Sequence, residues 1–135
     1  MDLTQALSIS SHGMDAQTER LRVIAENIAN QDSAGSTPGA KPYQRKTVLF
    51  QNVLDRSLGA DSVKVKAVVP DMSPFPQKYD PSNPAADTNG YVSMPNVNGF
   101  TEMMDMREAE RSYSANLNVM QASRSMLTRV IDLLK

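Results

Sequence analysis

The residues of this chain that could do chemistry are few and badly placed for it. Its one histidine, His12, sits beside Gly13 with no Asp or Ser nucleophile set beside it in an apolar, pocket-forming context, so a general base there lacks a partner and His12 reads as a solvated polar residue on a helix. Glu102, Asp105 and Glu108 fall on neighbouring helical turns, but Arg107 and Arg111 interleave with them. That spacing points to an i, i+3 or i+4 salt-bridged face. Lys41, Arg45 and Lys46 flank Tyr43, yet so few charges on a strand read as solvent-facing, not as a nucleic-acid contact. Without cysteine there is no disulfide, thiolate nucleophile or Cys-ligated zinc, and a single histidine rules out a multi-histidine metal site. GxGxxG, GxxxxGK[ST], GxSxG and HExxH are all missing. We therefore expect no catalytic residue, no cofactor, no metal, no nucleic acid and no small-molecule substrate.

Length and charge agree. At 135 residues the chain suits one compact unit, and 14 Lys+Arg against 15 Asp+Glu leave a formal charge of −1. No strong pull toward nucleic acid or anionic lipid follows from that balance. Asp2 stands where a secretory signal needs positive charge, and no run approaches the 18 or so apolar residues of a membrane span. The expectation is a soluble chain that, if exported, keeps its amino terminus.

Three segments must position whatever the chain uses: residues 1–32, 33–100 and 101–135. All eight prolines lie between Pro38 and Pro95, so helices belong at the two ends. Alternate steps of four and three from Leu3 visit Leu7, Ser10, Met14, Gln17, Leu21, Ile24 and Ile28, a coiled-coil-like seam that stops at Asn30. In the last segment Met103, Met106, Tyr113, Leu117, Met120, Leu127, Ile131 and Leu134 recur at the same spacing. Ala109, Val119, Met126 and Val130 widen that stripe. Asn27 and Asn30 flank the first seam, where partly buried amides can fix register. Gly13 either breaks its helix or marks a close approach by another backbone. Between the ends, Tyr43–Val53 and Ser62–Val69 read as strands, Asn89-Gly90 as a hairpin turn, and Pro70–Thr88 as an extended loop. The expected fold is mainly α with a small β-rich middle. Its long terminal helices pair as an antiparallel coiled-coil-like hairpin, and the loop and β segment is inserted between them.

The run Met14-Asp15-Ala16-Gln17-Thr18-Glu19-Arg20-Leu21-Arg22-Val23-Ile24-Ala25-Glu26-Asn27-Ile28-Ala29-Asn30 resembles the amino-terminal motif of the bacterial flagellar axial family of rod and hook proteins. Lys41-Pro42-Tyr43-Gln44-Arg45-Lys46-Thr47-Val48-Leu49-Phe50 and the stretch from Met94 to Ser123 are similar to its proximal rod members. Ser33 and Arg124 depart mildly from the family pattern, which usually has Thr and Lys there. The resemblance implies a structural subunit of the periplasm-spanning rod, needed for motility and exported by the flagellar type III apparatus. Implied partners are other copies of itself, other rod proteins, the rod-to-ring adaptor and the membrane-ring protein.

The residues themselves supply a reason for assembly. A stripe as broad as that of the last segment keeps apolar area in water after covering one helix, at roughly 25 cal/mol per Å². The expected assembly interface is Leu3, Leu7, Met14, Leu21, Ile24, Asn27, Ile28 and Asn30 with Met103, Met106, Tyr113, Leu117, Met120, Leu127, Ile131 and Leu134. A contact between unlike patches that does not close generates a helical filament. The competing readings are a cytoplasmic helical adaptor or export chaperone, and an enzyme with a polar pocket in the β-rich middle.

Overall fold

The computed structural model describes residues 3–56 and 59–134. Residues 1, 2 and 135, expected in the terminal segments, lie outside them. Six elements follow in order: α1 (Leu3–Ala29), β1 (Lys46–Asp55), β2 (Ala60–Pro70), β3 (Gln77–Tyr79), β4 (Tyr91–Ser93) and α2 (Gly99–Leu133). β1 pairs with β2, and β3 pairs antiparallel with β4. Two long terminal helices with a small β middle are what the proline distribution and the three-and-four periodicity predict.

Local chemistry sets the helix ends. α1 stops where the Asn30 side chain donates to Glu26 O at 2.9 Å, occupying a carbonyl of the last turn. At the start of α2, Asn98 Oδ1 accepts from Phe100 N at 3.0 Å and Thr101 N at 3.3 Å, an N-cap that satisfies two otherwise orphaned donors. Glu102 follows in the first turn, where the helix dipole favours negative charge.

Two compact units divide the chain, each assembled from separate stretches. The first comprises Met1–Leu21, Val48–Ala67 and Arg107–Lys135. Here the helices run antiparallel: Arg20 pairs with Glu108 at 3.6 Å, and a Cβ on Gly13 would lie 2.7 Å from Asn116 Nδ2. Gly13 therefore does not break α1; it is the notch that admits the Asn116 amide. Met14, Ala16 and Ala109 form the buried apolar centre, with Ser10, Ser62 and Ser123 buried beside them. His12 corrects the solvated reading, since its ring is half-buried in a cleft shared with Ala16, Glu19, Val63 and Val65. Along β2, half-buried Val63 and Val65 alternate with exposed Lys64 and Lys66, the expected period of two.

The second unit comprises Arg22–Thr47 and Val68–Met106. Val23, Ile24, Ala85 and Val92 are its buried apolar side chains. The stretch expected as an extended loop contains β3, whose residues Gln77, Lys78 and Tyr79 face Ser93, Val92 and Tyr91. Three exposed residues carry no apolar alternation, so this strand left no periodic trace. Asn89-Gly90 does turn the chain into β4, with Gly90 at φ 83°. Asp87 Oδ1 organises the turn by accepting from Asn89 N at 2.8 Å and Tyr91 N at 2.9 Å. The rings of Tyr79 and Tyr91 meet edge to face with centroids 5.3 Å apart. The first strand begins at Lys46, not at Tyr43, because Tyr43 and Arg45 are committed to the contacts described below.

The notch yields a test. In Gly13→Ala the Asn116 amide can swing aside, whereas Gly13→Leu overfills the gap and should lower the unfolding free energy by about 1–3 kcal/mol. Urea unfolding followed by circular dichroism measures both, and equal midpoints for the two variants would contradict the close approach.

Candidate functional site

At the centre of the second unit is a buried polar cluster built from α1, α2 and the approach to β1. Asn27 is 1% exposed and uses its whole amide. Its Oδ1 accepts from Lys46 N and from the Tyr43 hydroxyl, both at 2.9 Å. Its Nδ2 donates to Lys46 O at 2.9 Å and to Glu102 Oε2 at 3.0 Å. Two donors and two acceptor sites are thus all matched.

Glu102 has no exposed surface. Its second oxygen accepts from Arg45 Nε at 2.5 Å, a charge-assisted bond of the strong class. The rest of the Arg45 fork reaches Asp71 Oδ2 at 3.3 Å, Thr47 Oγ1 at 3.2 Å and Asp105 Oδ2 at 3.5 Å. Its backbone is held too: Arg45 N donates to Asn96 Oδ1 at 2.8 Å, and Asp71 N donates to Arg45 O at 2.7 Å. Lys46 pairs with Glu26 and lies 5.8 Å from the Tyr43 ring centroid, within cation–π range.

These neighbours move three protonation equilibria. Burial, then the charges of Glu26 and Glu102, push the Tyr43 hydroxyl above its ordinary value of 10.0. Hydrogen bonds from Ser73, assisted by Arg45, hold the Asp71 carboxyl below its ordinary value. Burial works against the Arg45 charge, but its bonds to Glu102 and Asp71 outweigh it and raise the guanidinium further.

Chemically the cluster is a fastener. The groups at its centre are saturated with partners inside the protein. Among the described residues no group of three or more His, Asp or Glu side chains is placed to hold a metal ion.

This cluster corrects the reading of Glu102 as part of a salt-bridged face with Arg107 and Arg111: that acid is buried and pairs with Arg45, which also reaches Asp105. The cluster likewise corrects the solvated reading of Arg45, while the Lys46 side chain stays 41% exposed and pairs with Glu26. One signal was present: stepping back seven from Ala109, a member of the widened stripe, lands on Glu102, an acid at a position that repeats an apolar one. Tyr43, Arg45 and Thr47 alternate, which places them on one face of an extended segment.

The residues expected at an assembly interface divide into two groups. Met14, Ile24 and Asn27 are buried, while Leu3, Leu7, Leu21, Ile28 and Asn30 are half-buried. On α2, Met106, Tyr113, Leu117, Met120 and Leu127 are half-buried, and Met103, Ile131 and Leu134 are exposed. In the first unit, the register that matches Arg20 with Glu108 and Gly13 with Asn116 sets Leu3 level with Met126. The helix beyond Met126 runs past the described part of α1. In that overhang Val130 and Ile131 are about half exposed and Leu133 and Leu134 more than 80% exposed, while Val119 and Met126, still alongside α1, are about half exposed as well. Neither helix is long and apolar enough to cross a membrane.

A long-helix pair at the chain ends, locked by a polar cluster and trailing an uncovered apolar tail, defines an assembly subunit better than a catalyst. Relatives specify which one. The chain is 54% identical to the flagellar basal-body rod protein FlgC of Agrobacterium fabrum over 133 residues, covering 98% of this chain and 96% of that protein. It is 39% identical to FlgC of Salmonella typhimurium and 38% identical to FlgC of Escherichia coli O157:H7, with 98% of each chain covered. The C-terminal family of flagellar basal body rod FlgEFG proteins matches residues 88–133, which contain β4 and α2. The chain belongs to the FlgC family of flagellar basal-body rod proteins. Its role is that of a structural subunit of the rod.

Removing one partner from a buried pair leaves the other charge uncompensated, so Glu102→Ala should cost about 3 kcal/mol or more in urea unfolding. A loss below about 1 kcal/mol would show that Arg45 needs only Asp71 and Asp105. The pH dependence has a definite sign. The raised Tyr43 value favours the neutral hydroxyl in the fold, so its contribution is complete below pH 10 and falls as pH rises through the native value. The lowered Asp71 value contributes above the ordinary carboxyl value of 3.8 and is lost as pH falls through the native one. Tyr43→Phe should flatten the alkaline limb of stability against pH, and Asp71→Asn the acid limb. Unchanged limbs would remove these groups from the account.

Proposed function

We propose that this chain is a non-enzymatic subunit of the proximal rod, joined to other copies of itself and to other rod proteins through the outward faces of its two terminal helices. The observation that carries this reading is the apolar row on α2, Val119, Met126, Val130 and Leu133, which lies about half exposed or more along a single stripe. Seven, four and three residues separate its members, so they stack on one side of the helix and offer a continuous seam to a neighbouring helix. Burying that seam against another subunit would recover roughly 25 cal/mol per Å². An open series of such contacts produces a shaft and not a ring. Torque would then pass through packed helices, from the membrane ring toward the hook. Rod-to-ring adaptor, membrane-ring protein and flagellar type III export apparatus are the partners this position implies, with the rod lying in the periplasm. The three-part organisation 1–32, 33–100 and 101–135 fits the same role, with the axial helices at the ends and the β-rich segment outside the tubular core.

The double variant Met126→Asp/Val130→Asp tests it, because both side chains are already in water and the chain itself should keep its helix content. Purified basal bodies from cells carrying it should lack the protein, and swimming should be lost. Normal incorporation and motility would overturn the interface, and accumulation of the unaltered protein in the cytoplasm bound to a soluble partner would favour an adaptor.

A further inference from the structure

The apolar seam of the helix pair does not by itself select one alignment. Its members recur every three and four residues on both helices, so sliding one helix by seven places apolar side chains opposite apolar side chains again. The buried polar residues do not repeat. Asn27 and Glu102 are hydrogen-bonded at 3.0 Å, and both are almost wholly out of water. A slip of seven leaves Asn27 opposite Ala109 or beyond the start of α2, and takes Glu102 away from Arg45. Arg45 cannot follow, because its backbone is tied to Asn96 and Asp71 and the next residue, Lys46, is tied to Asn27 by two bonds.

We propose that Arg45 and Glu102 are register-determining residues: within the second unit this ion pair specifies how the end of α1 aligns with the start of α2, and it contributes little to holding them together. A buried ion pair is a poor source of net stability, since desolvation offsets the attraction, but it discriminates strongly against arrangements that separate the partners. These are positioning residues, and they act through Asn27 on the end of α1. The consequence for assembly, that register decides how the exposed Met103 and Met104 at the start of α2 are presented to neighbours, rests on the rod-subunit reading above. Register itself does not, and it can be read on the isolated chain.

The chain is free of cysteine, so labels can be placed at will. Ala25 and Met104 are exposed and level with one another when Asn27 meets Glu102. Spin labels on Ala25→Cys and Met104→Cys should give one distance population in the otherwise unaltered chain. In the same labelled chain carrying Arg45→Met/Glu102→Met, helix content and urea midpoint should be retained. A second, longer-distance population should then appear, because a slip of seven residues at about 1.5 Å each moves the two labelled positions roughly 10 Å apart along the helix axis. A single unchanged distance in a folded double variant would overturn the proposal. Failure of that variant to fold would also overturn it, because the pair would then be holding the helices together instead of choosing between alignments. Loss of rod incorporation with an unchanged distance would strike the assembly consequence as well, and leave the rod reading intact.

Discussion

A carboxyl group removed wholly from water must find its donors inside the protein, and Glu102 is such a group. It finds one on α1 through Asn27 and one on the approach to β1 through Arg45. Neither donor could be there without further commitments. Arg45 needs its carbonyl and amide engaged by Asp71 and Asn96, and Asn27 needs Lys46 and Tyr43. One buried acid in the first turn of a helix thus fixes where segments far apart in sequence must meet. Val23, Ile24, Ala85 and Val92 alone bury modest area, and a two-stranded ladder of three residue pairs is marginal on its own.

The first unit follows a different rule. Its centre is made of small side chains, Ala16 and Ala109 with Ser10 and Ser123, which let helices approach closely but supply little apolar burial. The larger residues, Leu117, Met120 and Tyr113, are only half covered. Close approach and incomplete burial together describe a pair that holds its geometry while leaving much of its apolar surface unused. Monomeric soluble proteins seldom leave extended apolar surface in this state. The same feature that weakens the isolated unit is what a neighbour can exploit.

The terminal helices were legible in the sequence because prolines stop at Pro95 and begin at Pro38, and because Leu3, Leu7, Met14, Leu21, Ile24 and Ile28 keep helical spacing. β2 was legible for the corresponding reason, Val63 and Val65 against Lys64 and Lys66. β3 was not, since a short strand exposed along its length has no buried face to print an alternation. The polar cluster was half legible. Asn27 stood out as an amide beside a seam, but Arg45 and Glu102 lie 57 residues apart, and charge type alone cannot tell a solvated arginine from one that is folded onto a buried acid. Spacing reports which residues share a face; it does not report which two faces will meet.

That last limit has a physical consequence for how the chain divides its work. Apolar periodicity is a cheap and repetitive signal, so it can build long helices and uncovered stripes such as Val119, Met126, Val130 and Leu133, but it tolerates sliding. Polar groups in a dry interior are costly when misplaced, so a few of them are enough to exclude the alternatives. The discriminating groups are concentrated in the second unit, where Asn27 and Arg45 meet Glu102. Residues 127–134 set Leu127, Val130, Ile131, Leu133 and Leu134 beside Thr128, Arg129 and Asp132, a surface of the repetitive apolar kind that adapts to what it packs against.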